Sequence, residues 1–419
     1  MKYTVSETGD KKIESDMKII CKEILDRVKG VRSMILTGGF SRGEGAIKIE
    51  GDKIFPYNDY DIQIIGDNPI NKKEIDKISI EVSEKLGYKG IINFYPFKKE
   101  NQKMKNNFYV DLKADSFKNL KKMLPRIRTY ELKNNSMILY GEDLRNLIPN
   151  YKIEEIPLSE GAKLLLDRMS QMIEYYSMEK KHDEEFLMYI IQQAYAACCT
   201  ALLLLSKKYQ IGYKKSMEIL KETYKVDFPT LYERIPNLSE KIEQFNTWKL
   251  NPKKILDLDA KEEWFIAKEN ILEVSKYFLS AFLKKKIETL DGLSNAISRM
   301  KKEFYTPYLK EMIKKKIGIG KRFSFLILPF VLKILKKKYN RRLGELGVDF
   351  KTKKLCPDLS IFSSLIYIIG SINSENIDEN MLGKAKIILS KVYPINGTNW
   401  EEISTDYANA YIAFFLQKI

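Results

Sequence analysis

The chain has 419 residues, 44% of them apolar and 31% charged, a balance that excludes a disordered chain and predicts a globular protein of two or three domains. The 72 Lys and Arg residues outweigh the 56 Asp and Glu residues by a formal net charge of +16, which favours anionic partners unless it only reflects biased base composition. The four cysteines form no CxxC pair, which argues against a disulfide framework and a zinc site. The N-terminus is charged and no run reaches about 18 apolar residues, which argues against a signal peptide and a membrane-spanning helix. We therefore expect a cytoplasmic protein.

The first part of the chain alternates helical and strand patterns. Apolar residues at helical spacing predict a helix over residues 12–29, which Gly30 ends. Strands are predicted over residues 31–39, 59–67, 90–97 and 106–114, with an amphipathic helix over 71–87. This alternation predicts an α+β fold in which helices pack on a small mixed sheet.

The pattern becomes helical from about residue 151. Helices are predicted over residues 158–180, 183–210 and 212–224, and a further helical region that is strongly basic begins at about residue 285. We therefore divide the chain into an α/β domain at 1–150, a helical bundle at 151–285 that forms the cleft, and a basic helical region at 286–419.

A glycine turn follows the first predicted strand. Gly38 and Gly39 allow the backbone to come close to a ligand, and the exposed N–H groups of such a turn can bind phosphate oxygens. Ser41 adds a hydroxyl donor, and Arg42 adds a guanidinium that pairs with phosphate or, alternatively, with Glu44. The turn therefore predicts a phosphate-binding site.

Three acidic residues complete this pattern. Asp59 and Asp61 lie two residues apart on a predicted strand, so both side chains point to one face, where they repel each other unless a cation lies nearby. Asp111 lies in an apolar strand, where a carboxylate is costly without a cation. Three carboxylates can hold two Mg²⁺ ions that assist an attacking hydroxyl and a leaving pyrophosphate. The arrangement predicts nucleotidyl transfer from an NTP, with Asp111 beside the acceptor.

These motifs resemble the nucleotidyltransferase superfamily of DNA polymerase beta and kanamycin nucleotidyltransferase. The resemblance covers residues 30–150, and residues 137–149 are similar to an LYG-D/E-L segment near the end of the catalytic domain in antibiotic-type members. It implies a triphosphate held by Gly38, Gly39 and Ser41. It also implies that Asp59, Asp61 and Asp111 are the catalytic metal ligands.

The sequence departs from this superfamily at two places. The gap between Gly39 and Asp59 exceeds the common spacing, which predicts a hairpin insertion turned at Gly51-Asp52. Gly39 also stands where many members have serine, so Ser41 is the expected hydroxyl donor.

The predicted helix over 158–180 carries two further candidates. Corresponding helices of the superfamily lend basic residues to the triphosphate, so the resemblance implies that Lys163 and Arg168 bind the nucleotide. The alternative is that both belong to the charged face of an amphipathic helix.

Residues 314–342 carry an apolar centre of 13 residues, broken by Pro329, between two basic clusters. A buried core helix is the first expectation. An RNA-facing surface, or a segment bound to an anionic membrane that would make the protein peripheral, are the alternatives.

The sequence does not identify the acceptor. The positive net charge favours an anionic small molecule such as a sugar phosphate, an RNA end or a protein hydroxyl over a cationic aminoglycoside. The alternative function is a nucleotide-binding regulatory module with a protein partner, which three repelling carboxylates in one place disfavour.

Overall fold

The computed structural model describes residues 2–51, 53–57, 59–88, 96–97, 109–180, 182–252, 258–307, 309 and 324–415. A small mixed sheet occupies the first part of the chain, and helices form the rest. The chain therefore combines α and β structure in the order that the sequence predicts.

Among the described residues, four strands form the main sheet, and two more form a hairpin. Their bounds are β1 Val31–Thr37, β2 Ile47–Glu50, β3 Lys53–Pro56, β4 Tyr60–Gly66, β5 Val110–Ser116 and β6 Met137–Gly141. The sheet order is β5-β4-β1-β6, in which β4 runs parallel to β5 and β1 runs antiparallel to both β4 and β6. Strand β2 pairs only with β3 in the described structure.

The described strands confirm most of the strand predictions. Strands β1, β4 and β5 fall within or overlap the segments predicted over 31–39, 59–67 and 106–114. The predicted hairpin is confirmed, since Glu50 pairs with Lys53 across a turn that contains Gly51. Asp52 and nearly all of the strand predicted over 90–97 lie outside the described residues.

Helices cover both faces of the sheet and form the second part of the chain. Those beside the sheet are α1 Glu7–Arg27, α2 Lys72–Lys85, α3 Phe117–Leu120 and α4 Ile127–Asn134. The next six are α5 Leu158–Tyr175, α6 Glu184–Leu205, α7 Tyr213–Asp227, α8 Pro229–Arg234, α9 Leu238–Leu250 and α10 Ala260–Leu283. Further along the described chain lie α11 Leu290–Arg299, α12 Ser324–Glu345, α13 Pro357–Ser371, α14 Glu379–Leu389 and α15 Trp400–Phe415.

The two faces of strand β4 differ in chemistry because side chains alternate along a strand. Tyr60, Ile62 and Ile64 belong to the apolar cluster that packs the sheet on α1 and α2. Asp61 and Gln63 lie on the opposite face, as the sequence predicts. Burial of the apolar face therefore fixes which way the acidic face points.

The helical region has a continuous core. Apart from Ala408 and Ile412, the described buried apolar residues from Ile156 to Ala413 belong to a single cluster, which extends across residue 285, where the sequence predicts a boundary. Helix α6 lies inside this cluster. It is the one described helix long and apolar enough to cross a membrane, and 83% of the stretch that passes this test is buried within the protein.

Gly141 provides a stability test of the sheet edge. It ends β6 with a φ of +78°, and a Cβ atom there would overlap the carbonyl oxygen of Arg32. Gly51 also has positive φ, but open space surrounds its Cα. We expect Gly51→Ala to lower the free energy of unfolding by about 1 kcal/mol through backbone strain alone.

The matched substitution Gly141→Ala should cost about 3 kcal/mol, because overlap with the Arg32 carbonyl adds to the same strain. Chemical denaturation of both variants measures the difference. Equal losses at the two positions would contradict this account of the contact between β6 and β1.

Candidate active site

The glycine turn after β1 is held in a conformation that brings its backbone against Asp61. Gly38 has a φ of +74°, which favours glycine, and a Cβ atom there would lie 2.9 Å from Oδ2 of Asp61. Gly39 then begins a short 3₁₀ turn that ends at Arg42. Any side chain at position 38 would therefore displace the Asp61 carboxylate.

Ser41 stabilises this turn from within. Its hydroxyl donates to the carbonyl of Gly38 at 2.8 Å and lies 3.2 Å from the carbonyl of Asn135. The residue is buried, and it does not line the neighbouring cavity. In this structure Ser41 holds the shape of the glycine turn, which is a different task from the phosphate donation that the sequence predicts.

Strand register brings two of the acids together. Asp61 pairs with Asp111 across the parallel strands β4 and β5, and with Thr37 across β1. Asp59 lies just before β4, where its Oδ1 atom accepts a hydrogen bond from the amide of Tyr109 at 3.3 Å. Among the residues that the structure describes, no three His, Cys, Asp or Glu side chains lie close enough together to hold a metal ion.

A lysine lies between Asp61 and Asp111. Lys113 is two residues beyond Asp111 on β5, and its Nζ atom lies 2.5 Å from Oδ2 of Asp111 and 3.5 Å from Oδ1 of Asp61. Asp111 itself is only 6% exposed. The ammonium therefore neutralises a buried carboxylate that would otherwise be costly.

The charges of all three carboxylates act on the phenol of Tyr109. Burial raises its pKa well above the ordinary value, and the charges of Asp59, Asp111 and Asp61 raise it further. Each carboxylate disfavours the phenolate because like charges repel. The charge of Asp59 thus acts on the same phenol as the charges of Asp61 and Asp111, although the Asp59 side chain accepts a hydrogen bond from a backbone amide.

Arg42 is a buried cation on the other side of the glycine turn. Its Nε atom donates to Oε2 of Glu44 at 3.3 Å, and its Nη1 atom lies 3.8 Å from Oε2 of Glu131 without a hydrogen-bond partner. Burial opposes the charge, but Glu131 and Glu44 outweigh burial, so the pKa of Arg42 is raised. A buried guanidinium nitrogen without a hydrogen-bond partner costs free energy, which the nearby carboxylates of Glu44 and Glu131 partly offset.

Glu44 joins this turn to the helical region. Its carboxylate accepts hydrogen bonds from the backbone amides of Tyr213 at 3.0 Å and Lys214 at 3.2 Å, at the N-terminus of α7. A carboxylate at a helix N-terminus is favoured by the unpaired amides and the helix dipole. The contact holds α7 beside the glycine turn and closes one side of a cavity.

That cavity has a volume of about 650 Å³, within the range of small-molecule sites. Seven of the residues predicted from sequence lie in its wall: Gly38, Gly39, Arg42, Asp59, Asp61, Lys163 and Arg168. Asp111 stands behind Asp61 rather than in the wall. The structure thus brings together residues from the turn after β1, from the start of β4 and from α5, which are far apart in the chain.

Lys163 and Arg168 face the cavity from α5. Arg168 donates to Oε1 of Gln171 at 2.6 Å. The Nζ atom of Lys163 lies 5.7 Å from the ring centre of Phe415. Burial raises the pKa of Asp167 between them, while the charge of Lys163 is the largest effect that opposes this rise.

Lys249 is a cavity residue that the sequence interpretation missed. It lies on α9 and is only 5% exposed, and its Nζ atom donates to the phenol oxygen of Tyr213 at 2.7 Å. The same atom lies 4.5 Å from the ring centre of Tyr213 and 5.7 Å from that of Tyr189. The available signal was a lysine next to Trp248, in the segment that forms α9 and over which no individual helix was predicted.

Arg126 and Arg128 also line the cavity and were missed. They precede and begin α4, and Arg128 donates to Oε1 of Gln63 at 3.4 Å. Gln63 lies two residues beyond Asp61 on the same face of β4. These arginines therefore border the acidic side of the site as well as the cavity.

No protein-family model matches the chain, and no curated protein matches it. The geometry of the site is therefore the basis for any functional assignment.

Tyr213 allows a direct test of the basic cluster. Burial raises its pKa, but the charges of Lys249, Arg42 and Arg168, together with the Lys249 hydrogen bond, outweigh burial and lower the pKa below 10.0. We expect the phenolate absorbance of wild type minus that of Tyr213→Phe to show one tyrosine that ionises below pH 10.0.

Lys249→Met should raise this pKa because burial is then opposed by fewer charges. Lys215→Met, on the exposed side of the same helix as Tyr213, is the matched control and should leave it unchanged. A Tyr213 titration that ignores Lys249 would show that the cluster does not act on the phenol.

Proposed function

We propose that this protein is a Mg²⁺-dependent nucleotidyltransferase that moves a nucleoside monophosphate from an NTP to an acceptor hydroxyl and releases pyrophosphate. One observation carries the proposal. The glycine turn, the Asp61 carboxylate with its strand partner Asp111 next to it, and buried cations lie together at one cavity. The glycine turn and the acidic residues follow the motif order that resembles the superfamily.

The phosphate side of the site consists of the glycine turn and the basic residues that face it. The Gly38 and Gly39 backbone allows the triphosphate to approach closely. Arg42 supplies positive charge from the turn itself, and Arg168 and Lys163 supply it from α5. Lys249 adds a buried ammonium, so the nucleotide would hold the glycine turn and the helices together.

The acidic residues suit a magnesium centre by their chemistry. Asp59, Asp61 and Asp111 offer hard carboxylate oxygens, which Mg²⁺ prefers, and an ammonium already balances charge between two of them. These residues would hold the metal together with phosphate oxygens. Bound Mg²⁺ would neutralise the charge that develops on the phosphates.

The proposed transfer balances as a displacement at phosphorus. The acceptor hydroxyl oxygen forms a bond to the α-phosphorus, and the bond from that phosphorus to the bridging oxygen breaks. The electron pair of the broken bond leaves with pyrophosphate. Asp111 orients the acceptor hydroxyl and takes its proton.

The walls of the cavity favour a small acceptor. Helices α5, α6, α7 and α9 contribute residues to a cavity of about 650 Å³, which suits a nucleotide with a small molecule better than a folded RNA or protein surface. Arg126 and Arg128 lie beside the acidic face of β4, where the acceptor would bind. A small anionic molecule such as a sugar phosphate is thus the favoured acceptor class, with an RNA end or a protein hydroxyl as alternatives.

A surface of α12 favours a second, peripheral role at an anionic membrane. Phe330 and Ile334, one helical turn apart, are 65% and 50% exposed. Lys333 and Lys337 are exposed on the same stretch of helix. Adjacent apolar and basic side chains on one helix face suit insertion into a bilayer interface that carries negative charge. Residues 310–323, which include part of the predicted basic segment, lie outside the described residues.

Label transfer tests the enzymatic proposal. The protein is incubated with Mg²⁺, each NTP labelled at the α-phosphorus, and a small-molecule extract or total RNA. We expect wild type to move label onto an acceptor and Asp61→Asn or Asp111→Asn to do so at least ~100-fold more slowly, because each loses a charge at the reacting centre.

Asp67→Asn is the matched control, since this exposed aspartate follows the same strand as Asp61 and should leave the rate unchanged. Nucleotide binding without label transfer to either acceptor pool would instead support the regulatory binding module. Absence of both binding and transfer would contradict the proposed function altogether.

Vesicle co-sedimentation tests the membrane role. We expect wild type to bind vesicles that contain phosphatidylserine, and the double variant Phe330→Ser/Ile334→Ser to bind about tenfold more weakly because two apolar side chains are lost from the interface. Val226→Ser is the control, since Val226 is 80% exposed on a different helix. Equal binding by the double variant and wild type would rule out this face of α12.

A further inference from the structure

We infer that Lys113 permanently fills one of the two cation positions expected between the carboxylates, so that the site takes a single divalent ion. This inference rests on the proposed function and goes beyond it, because the superfamily resemblance implies two ions. The active site would then contain one metal ion and one lysine ammonium instead of two metal ions.

The placement of Lys113 follows from strand geometry. Asp111 and Lys113 are two residues apart on β5, so their side chains project from the same face. Asp61 is the register partner of Asp111 on β4. The lysine is thus fixed on a paired strand beside both acids, where a mobile loop would not hold it.

The distances place the ammonium where a bridging ion would otherwise bind. Nζ of Lys113 lies 2.5 Å from Oδ2 of Asp111 and 3.5 Å from Oδ1 of Asp61. Metal ions bind carboxylate oxygens at comparable or shorter distances. A divalent ion that bridged the same two oxygens would contact the ammonium directly, and the two positive charges would repel each other.

Lys113 lies against Oδ1 of Asp61, which leaves the Oδ2 side of this carboxylate, beside Gly38, as the position for one ion. Asp59 lies two residues before Asp61, and its Oδ1 atom accepts a hydrogen bond from the Tyr109 amide. The Asp61 carboxylate also faces Gly38, where the triphosphate would approach. One or two carboxylates with phosphate oxygens form a common Mg²⁺ site. Asp59 and Asp61 would therefore hold the single ion on the nucleotide side.

On the acceptor side, Lys113 would take over the electrostatic role of the second ion. Its ammonium lies against Asp111, the residue that receives the acceptor proton in the proposed reaction. From there it can donate a hydrogen bond to the acceptor oxygen as negative charge develops on that atom. Lys113 is thus proposed as a residue that touches the reacting atoms.

Manganese binding provides the test, with Mn²⁺ as a spectroscopically visible substitute for Mg²⁺. The full chain is saturated with the α,β-methylene analogues of ATP, GTP, CTP and UTP in turn, and bound Mn²⁺ is counted by electron paramagnetic resonance. We expect one Mn²⁺ per wild-type chain and two per Lys113→Met chain, because methionine keeps the length of the side chain and removes its charge.

Lys121→Met, an exposed lysine shortly after β5, is the matched control and should bind one ion. Lys113→Gln is the second variant, and thermal unfolding followed by circular dichroism shows that each variant is folded. Should neither Lys113 variant fold, the ion count of the wild-type chain decides alone.

The outcomes separate the two proposals. Two ions in wild type, or one ion in both wild type and a folded Lys113 variant, would overturn the inference about Lys113 and leave the proposed function intact. Nucleotide binding with no bound Mn²⁺ would also overturn it. Failure of wild type to bind any of the four analogues would instead count against the proposed function itself.

Discussion

The pairing of β4 with its two neighbours is the constraint on which the candidate site depends. It sets Asp61 opposite Asp111 on one side and opposite Thr37, the residue before Gly38, on the other. Because side chains alternate, a slip of one residue would turn Asp61 into the apolar cluster beneath α1 and α2. A carboxylate buried there without a partner would be costly. The apolar residues of β4 therefore fix the position of the acids that share its strand.

The helical region supplies the rest of the cavity wall beside the sheet. Glu44 caps α7, and this places Tyr213 beside the glycine turn and within reach of Lys249. The buried cations Arg42 and Lys249 are only partly balanced, since one guanidinium nitrogen lacks a hydrogen-bond partner. A buried donor without a hydrogen-bond partner costs free energy. The helical region thus closes the cavity while it leaves one donor of Arg42 without a partner.

The charge of the cavity differs from the charge of the chain. The net charge is +16, yet the cavity wall carries similar numbers of both signs. Its basic residues are Arg42, Arg126, Arg128, Lys163, Arg168 and Lys249, and its acidic residues are Glu44, Asp59, Asp61, Glu131, Glu160 and Asp167. The excess positive charge therefore lies outside the cavity, and exposed lysines of α12 contribute to it. The amino-acid composition therefore indicates the charge of the outer surface better than it indicates the charge of a ligand in the cavity.

The sequence by itself determined features that depend on neighbouring residues: strands β1, β4 and β5, the helices α1, α2, α5, α6 and α7, the hairpin at Gly51 and the shared face of Asp61 and Gln63. These follow from periods of 2 and 3.6 residues and from turn chemistry, which are local. Only the tertiary structure decided that the Ser41 hydroxyl also reaches the Asn135 carbonyl, that Lys249 lines the cavity and that Lys113 lies beside Asp61 as well as Asp111. Those contacts depend on strand register and helix packing, which join residues far apart in the chain and leave no local pattern.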